Sequence, residues 1–212
     1  MPIENYITSS CTISNHAVFK NGVPIFKNKE TDLPGFLFSV YKHFGLKYAR
    51  FYKMDNLSKL GWLTAEILLK DSFQKKNYKP EEAGVILSNT NASLDSDQRY
   101  NESVRDIPSP ALFVYTLPNI MIGEICISNN FKGEDAFFIS DTFDEVLIYN
   151  YVNNLLDNNI LKVCICGWVE LLDDKYKAVL FLVEKQQGQK SAVFTKENLK
   201  RIFEGNNVSY KK

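Results

Sequence analysis

The sequence predicts an α/β domain: a mixed β-sheet flanked by helices. Two observations carry the prediction. Short apolar runs alternate with segments of helical periodicity along most of the 212 residues. Hydrophobic residues make up 45% of the chain and charged residues 24%, the composition of a chain with a packed core. Lys plus Arg and Asp plus Glu both number 25, so the formal net charge is zero. That argues against a nucleic-acid partner or an anionic membrane surface, both of which call for a basic excess. The chain reads as one domain over 1–212. Within it, 15–50 is an irregular insertion rich in Lys, Asn, Gly and Pro, and 186–212 is a C-terminal extension.

Taken in order, 2–11 reads as a strand with Ile3, Tyr6 and Ile7. Leu57, Leu60, Leu63, Ile67 and Leu68 recur at helical spacing, with Asp55 or Asn56 as N-cap. The apolar run 83–88 predicts a strand. Residues 89–110 are polar and read as a long loop. A helix is expected over 116–129, a strand over 135–140 and a helix over 143–158. Two more apolar strands follow at 161–168 and 177–184, then a helix over 195–203 with Lys200 and Arg201 near its C-terminal end. The opening residues lack the basic and apolar regions of a secretory signal. No run approaches the ~18 apolar residues of a membrane span.

Cys11, Cys126, Cys164 and Cys166 fit no disulfide scaffold, which suits a cytoplasmic protein. Cys164 and Cys166 alternate on one strand face and read as buried thiols. Cys11 ends the first predicted strand beside small polar residues and is the best thiol for chemistry. The two histidines, His16 and His43, both fall in the irregular region; a Cys11–His16 dyad is the pairing to check. Asp95, Asp97, Glu102 and Asp106 match no calcium-loop spacing. There is no Gly-rich phosphate loop, so neither a cofactor nor a metal is implied. Lys75, Lys76 and Lys79 form a short basic patch.

Several motifs resemble one family. They are the Thr116-Leu-Pro-Asn119 turn, Gly123-Glu124-Ile125, the Phe131-Lys-Gly133 turn, the strand at 136–140 and Cys166-Gly-Trp-Val-Glu170. The pattern resembles the nucleophile region of the β-ketoacyl-(acyl-carrier-protein) synthases, 3-oxoacyl-forming enzymes of thiolase-like fold. The Met54-Asp55 pair ahead of a helix is similar as well. Family members are about twice as long, with two similar halves. The resemblance covers most of 1–185 and implies a thiolase-like half-domain. The second half, which carries the family's two active-site histidines, has no counterpart in this sequence.

The family's nucleophile is a cysteine at a helix N-terminus, where the dipole and free N–H groups stabilise the thiolate. Counting back without a gap from Glu170 places Thr142 there. A hydroxyl is a far weaker nucleophile and needs an adjacent base. Thr142-Phe-Asp-Glu145 instead matches a capping box, with Thr142 as N-cap and Glu145 as its reciprocal partner. Asp141, Asp144 and Glu145 crowd the same helix start and would repel a thiolate or an oxyanion.

The helix after Thr142 is bulky, and its side chains would fill an acyl tunnel rather than line one. Ile148, Tyr149, Val152, Leu155 and Leu156 share one face and need cover. The resemblance therefore implies a non-catalytic accessory subunit, similar to a chain length factor, in fatty-acid or polyketide-type biosynthesis. Its expected partners are a full-length ketosynthase or a second copy, and an acyl carrier protein. The alternatives are an acyl-transferring enzyme using Cys11 and a small acyl-ligand binder.

Overall fold

The computed structural model describes residues 4–185 and 191–205. The start of the first predicted strand, with Ile3, and much of the 186–212 extension lie outside the described residues. Strand β1 (Tyr6–Ser14), β2 (Ala17–Lys20) and β3 (Val23–Lys27) form an antiparallel meander. β4 (Ala83–Asn89) runs parallel to β5 (Asp135–Ile139) on one side and to β6 (Val163–Leu172) on the other. β7 (Lys175–Glu184) joins the two groups, antiparallel to β6 and to β1. The order is β3-β2-β1-β7-β6-β4-β5, and the two-residue β8 (Ala192–Val193) pairs with β1. The sheet is mixed, as the apolar runs predict.

Helices cover both faces. α1 (Leu33–His43) and α2 (Asn56–Leu69) precede β4. α3 (Leu94–Val104), α4 (Pro110–Val114) and α5 (Asn119–Asn129) connect β4 to β5, and α6 (Glu145–Asp157) returns over β4 to β6. The two crossovers step in opposite directions, so a shared right-handedness puts α5 and α6 on opposite faces. The strand alternation shows the same division. Val163, Ile165 and Val169 of β6 join the α1–α2–α5 core, while Cys164, Cys166 and Trp168 join the α6 core. α7 (Lys196–Phe203) lies beside α6 on that second face. α2 and α5 approach closely because Gly61 has no side chain; a Cβ there would meet the sulfur of Met121.

Four expectations are corrected. The stretch 15–50 is not irregular: it holds β2, β3 and α1. Asn21 (φ 51°) and Gly22 (φ 76°) make the positive-φ hairpin turn between β2 and β3, and Asp32 caps α1 through Gly35 N at 2.9 Å. The stretch 89–110 contains α3, a polar helix with few apolar residues to betray it. α5 begins at Asn119, after the separate short α4. Cys11 lies inside β1 rather than at its end, because the strand continues to Ser14.

The apolar face of α6 has its own cover. Ile148, Val152 and Leu156 are fully buried against Ile7, Ile86, Leu161, Phe181 and the α7 side chains, and Leu155 nearly so. Each such side chain contributes roughly 1.5–3 kcal/mol of burial. The need for a second chain over this face disappears. No described helix is long and apolar enough to cross a membrane.

Candidate functional site

The candidate site is the corner where β4 and β5 end beside Trp168 of β6, which runs on to Leu172. Carboxyl ends of parallel strands are the usual place for sites in α/β sheets. Residues 89–93 follow β4, and residues 140–144 follow β5. Ser140 N donates to Asn89 O at 3.0 Å, and Thr90 Oγ1 donates to Asp141 O at 3.0 Å. The Asn89 side chain closes its own turn, accepting from Ala92 N and donating to Ala92 O, both at 2.8 Å.

Glu170 anchors this corner. Its carboxylate accepts from Thr90 N at 2.6 Å, Asn91 N at 3.3 Å, Asn91 Nδ2 at 3.0 Å and Leu171 N at 3.1 Å. A carboxylate holding two consecutive backbone N–H groups fixes the loop as a side-chain cap fixes a helix start. Beneath it, Gly167 has φ +143°, and a Cβ there would stand 2.2 Å from Val179 O. The backbones of β6 and β7 therefore meet in a way that only glycine allows. Ser88 Oγ donates to Gly167 O at 3.3 Å.

The start of α6 differs from the capping-box expectation. The N-cap is Asp144, two residues after Thr142. Asp144 Oδ1 accepts from Val146 N at 3.0 Å and Leu147 N at 2.8 Å. Phe143 accounts for the shift. It is buried, stacks on Phe203 at 4.4 Å and meets the edge of Trp168 at 6.3 Å. Burying Phe143 before Asp144, with Ile148 buried on the next turn, follows the hydrophobic-staple pattern. Thr142 and Asp141 stay exposed, Glu145 is half-buried in the first turn, and Thr142 O accepts from Ser140 Oγ at 2.8 Å. There is no thiol between Ile139 and Asp157 in the sequence.

The other candidates lie apart from this corner. Cys11 is fully buried in the α1–α2 core, and burial pushes its thiol up to about 12. Cys164 and Cys166 are fully buried on the α6 face, and burial raises both. Thiols so shifted are poor nucleophiles near neutral pH. His16 is engaged with Tyr176: its Nδ1 lies 3.2 Å from the phenol oxygen, and its backbone N donates to that oxygen at 2.7 Å. His43 packs on Phe26 at 4.4 Å. No Cys11–His16 hydrogen bond exists among the described residues. Asp95 is buried on α3 and pairs with Arg99 at 3.1 Å; no metal-holding cluster occurs among the described residues. Lys75, Lys76 and Lys79 are exposed around a short 3-10 turn.

Comparison with known proteins bears on the fold. No protein-family model matches the chain, and no curated sequence does. Solved structures do match. The ishigamide ketosynthase/chain length factor superposes with a TM-score of 0.64 at 17% identity, over 85% of this chain and 62% of that one. This chain has the ketosynthase fold. A type II polyketide ketosynthase, AntDE, in complex with the acyl carrier protein AntF gives 0.60 at 14% identity, over 88% and 63%. The ketosynthase ApeO in complex with its chain length factor ApeC, from Xenorhabdus doucetiae, gives 0.55 at 13%, over 87% and 80%. The chain thus spans 62–63% of the first two and most of the third.

Sequence reasoning missed Glu170 as the anchor and Phe203 as a neighbour of the corner. The signal for Glu170 was present: a lone carboxylate in the apolar run 163–172.

Proposed function

We propose that this chain is a non-catalytic, ketosynthase-like accessory subunit of a fatty-acid or polyketide-type pathway. In this reading it pairs with a catalytic ketosynthase and presents a surface to an acyl carrier protein. The observation that carries the reading is the start of α6. Where a synthase would leave N–H groups free to hold a thiolate, Asp144 takes two of them, and Phe143 is buried beside them on Phe203. Thr142 is then a degenerate nucleophile position, with Asp141 and Glu145 as structural neighbours. The structural likeness to ketosynthase/chain length factor assemblies supports the same reading.

The sheet edges favour a partner along β5. β3, at one end, is blunted by Pro24 and flanked by Lys20 and Lys27. β5, at the other end, has no proline, its one charge is Asp135 at its start, and Ile139 at its far end is 63% exposed. Ile107, Phe113, Val114 and Leu117, between α3 and α5, are exposed as well. The carrier-protein surface is assigned to the segment 33–54. It holds Lys42, Lys47, Arg50 and Lys53, all exposed, and no acidic residue. Phe38 and Tyr52 stand exposed among them, with Lys42 Nζ 4.4 Å above the Phe38 ring. Cations with aromatic anchors suit an acidic protein.

The test is native mass spectrometry of the tagged chain purified from its source cells. A ketosynthase at fixed stoichiometry, with this chain unmodified, is the expected result. A covalent acyl mass on this chain, on Cys11 or elsewhere, overturns the non-catalytic reading. A chain that is always recovered alone or as a self-dimer overturns the accessory role.

A further inference from the structure

The second face of the sheet is closed by two helices that differ in how firmly they are held. α6 buries Ile148, Val152, Leu155 and Leu156. α7 buries one side chain fully, Leu199, and reaches the sheet through the two-residue β8 and Phe194 N, which donates to Asn5 O at 2.8 Å. The last residue of α7, Phe203, stacks on Phe143 at 4.4 Å and lies 6.2 Å from Trp168. Lys177 hooks it in place: Nζ donates to Phe203 O at 2.7 Å and sits 3.9 Å above the ring. The hook is a half-buried ammonium that can exchange its partner for water.

We propose that α7 is a strap, with Phe203 as its buckle, that opens by local detachment and gates the corner between β5 and α6. With the strap shut, Phe143 and Trp168 are covered and this face admits no other group. With it open, the aromatic floor of the corner becomes accessible, and with it Cys166, two residues from Trp168 on the same strand face, while the rest of the fold stays intact. Segments with few buried apolar contacts open below the global unfolding free energy. The inference rests on this packing alone and stands whether or not the accessory reading does.

The native cysteines supply the test. Cys164 and Cys166 lie on the α6–α7 face, and Cys11 lies on the opposite face. Labelling with a neutral thiol reagent is followed by peptide mass spectrometry in the wild type, Phe203→Ala and Lys177→Met. The expected result is that both variants label Cys166 at least about tenfold faster, with Cys11 unchanged. In the wild type, labelling of Cys166 depends weakly on urea at low concentration, while Cys11 follows global unfolding. If all thiols accelerate together, α7 is an integral part of the cooperative core and the strap is refuted. If neither face accelerates in folded variants, the strap does not gate the corner, and the proposal fails equally.

Discussion

Replacing Gly167 by alanine tests whether β6 and β7 meet as the structure requires. The residue sits at φ +143°, a region L side chains rarely adopt, and its new Cβ would stand 2.2 Å from Val179 O. Backbone strain of that kind costs about 1–3 kcal/mol. Overpacking against a main-chain oxygen, which cannot turn aside like a side chain, adds about 1–3 kcal/mol. A total loss of about 2–6 kcal/mol is expected, a large share of the roughly 5–15 kcal/mol typical of a domain. In a domain of this size that corresponds to about 4–24 °C in melting temperature. Urea unfolding monitored by tryptophan fluorescence is the assay. Trp62 reports the α2 face and Trp168 the α6 face, so single-tryptophan forms follow both layers. Coincident transitions at lower urea, with unchanged slope, are expected. A loss below about 1 kcal/mol would refute the reasoning, because it would mean that the strands relax apart at little cost.

Three further outcomes are expected. Glu170→Gln removes charge-assisted acceptance from the loop after β4, costing about 1–2 kcal/mol and speeding amide exchange at Thr90 and Asn91, read by hydrogen-exchange mass spectrometry. Burial raises the Glu66 carboxyl above its ordinary value despite donors from Ser128 and Asn129, so the folded state binds its proton more tightly. Its contribution is present below the unfolded carboxylate value and is lost as pH rises through the folded one; Glu66→Gln should therefore gain stability relative to wild type on going from pH about 4 to about 7, measured by paired urea titrations. Thr142→Cys should give a thiol of ordinary or raised pKa that accepts no acyl group, because Asp141, Asp144 and Glu145 surround it; a pH profile of iodoacetamide alkylation checks this, and a thiol titrating below about 7 would refute it.

The parts of the fold legible in the sequence were those where one signal dominates. The apolar stretches at the centres of β4, β6 and β7 are buried on both faces, so their local signal is strong. α2 and α6 carry apolar residues at helical spacing with carboxylates at their starts. Elements with weak local signals were missed. β2 and β3 are only four and five residues long, and β3 is mostly exposed. α3 is tied in by polar contacts, such as Ser96 Oγ donating to Asp55 at the start of α2, rather than by an apolar stripe. At the candidate site, the pattern Thr142–Glu145 satisfied a capping box, and a tertiary contact overrode it. Phe143 is worth more buried against Phe203 and Trp168 than Thr142 is as a cap, so the helix starts where Asp144 can take over. The partner of that contact lies 60 residues along the chain, beyond any local reading.

The case for a partner also changes ground. The sequence alone called for one because the apolar face of α6 needed cover, yet β6, β7 and α7 supply that cover within one chain. What remains open is the rim: the free edge of β5 with Ile139, and the apolar residues between α3 and α5. A buried helix face demands its partner for stability, whereas an open strand edge offers main-chain donors and acceptors to a partner that comes later. The structure thus fits a chain that folds alone and then assembles. On that view, charge placed on β5, as in Phe137→Lys, would damage folding because Phe137 packs on the core. Ile139→Lys, on the exposed end of the same strand, would leave the fold intact and abolish assembly with a ketosynthase in the same native mass measurement. Assembly that survives Ile139→Lys would move the interface away from β5.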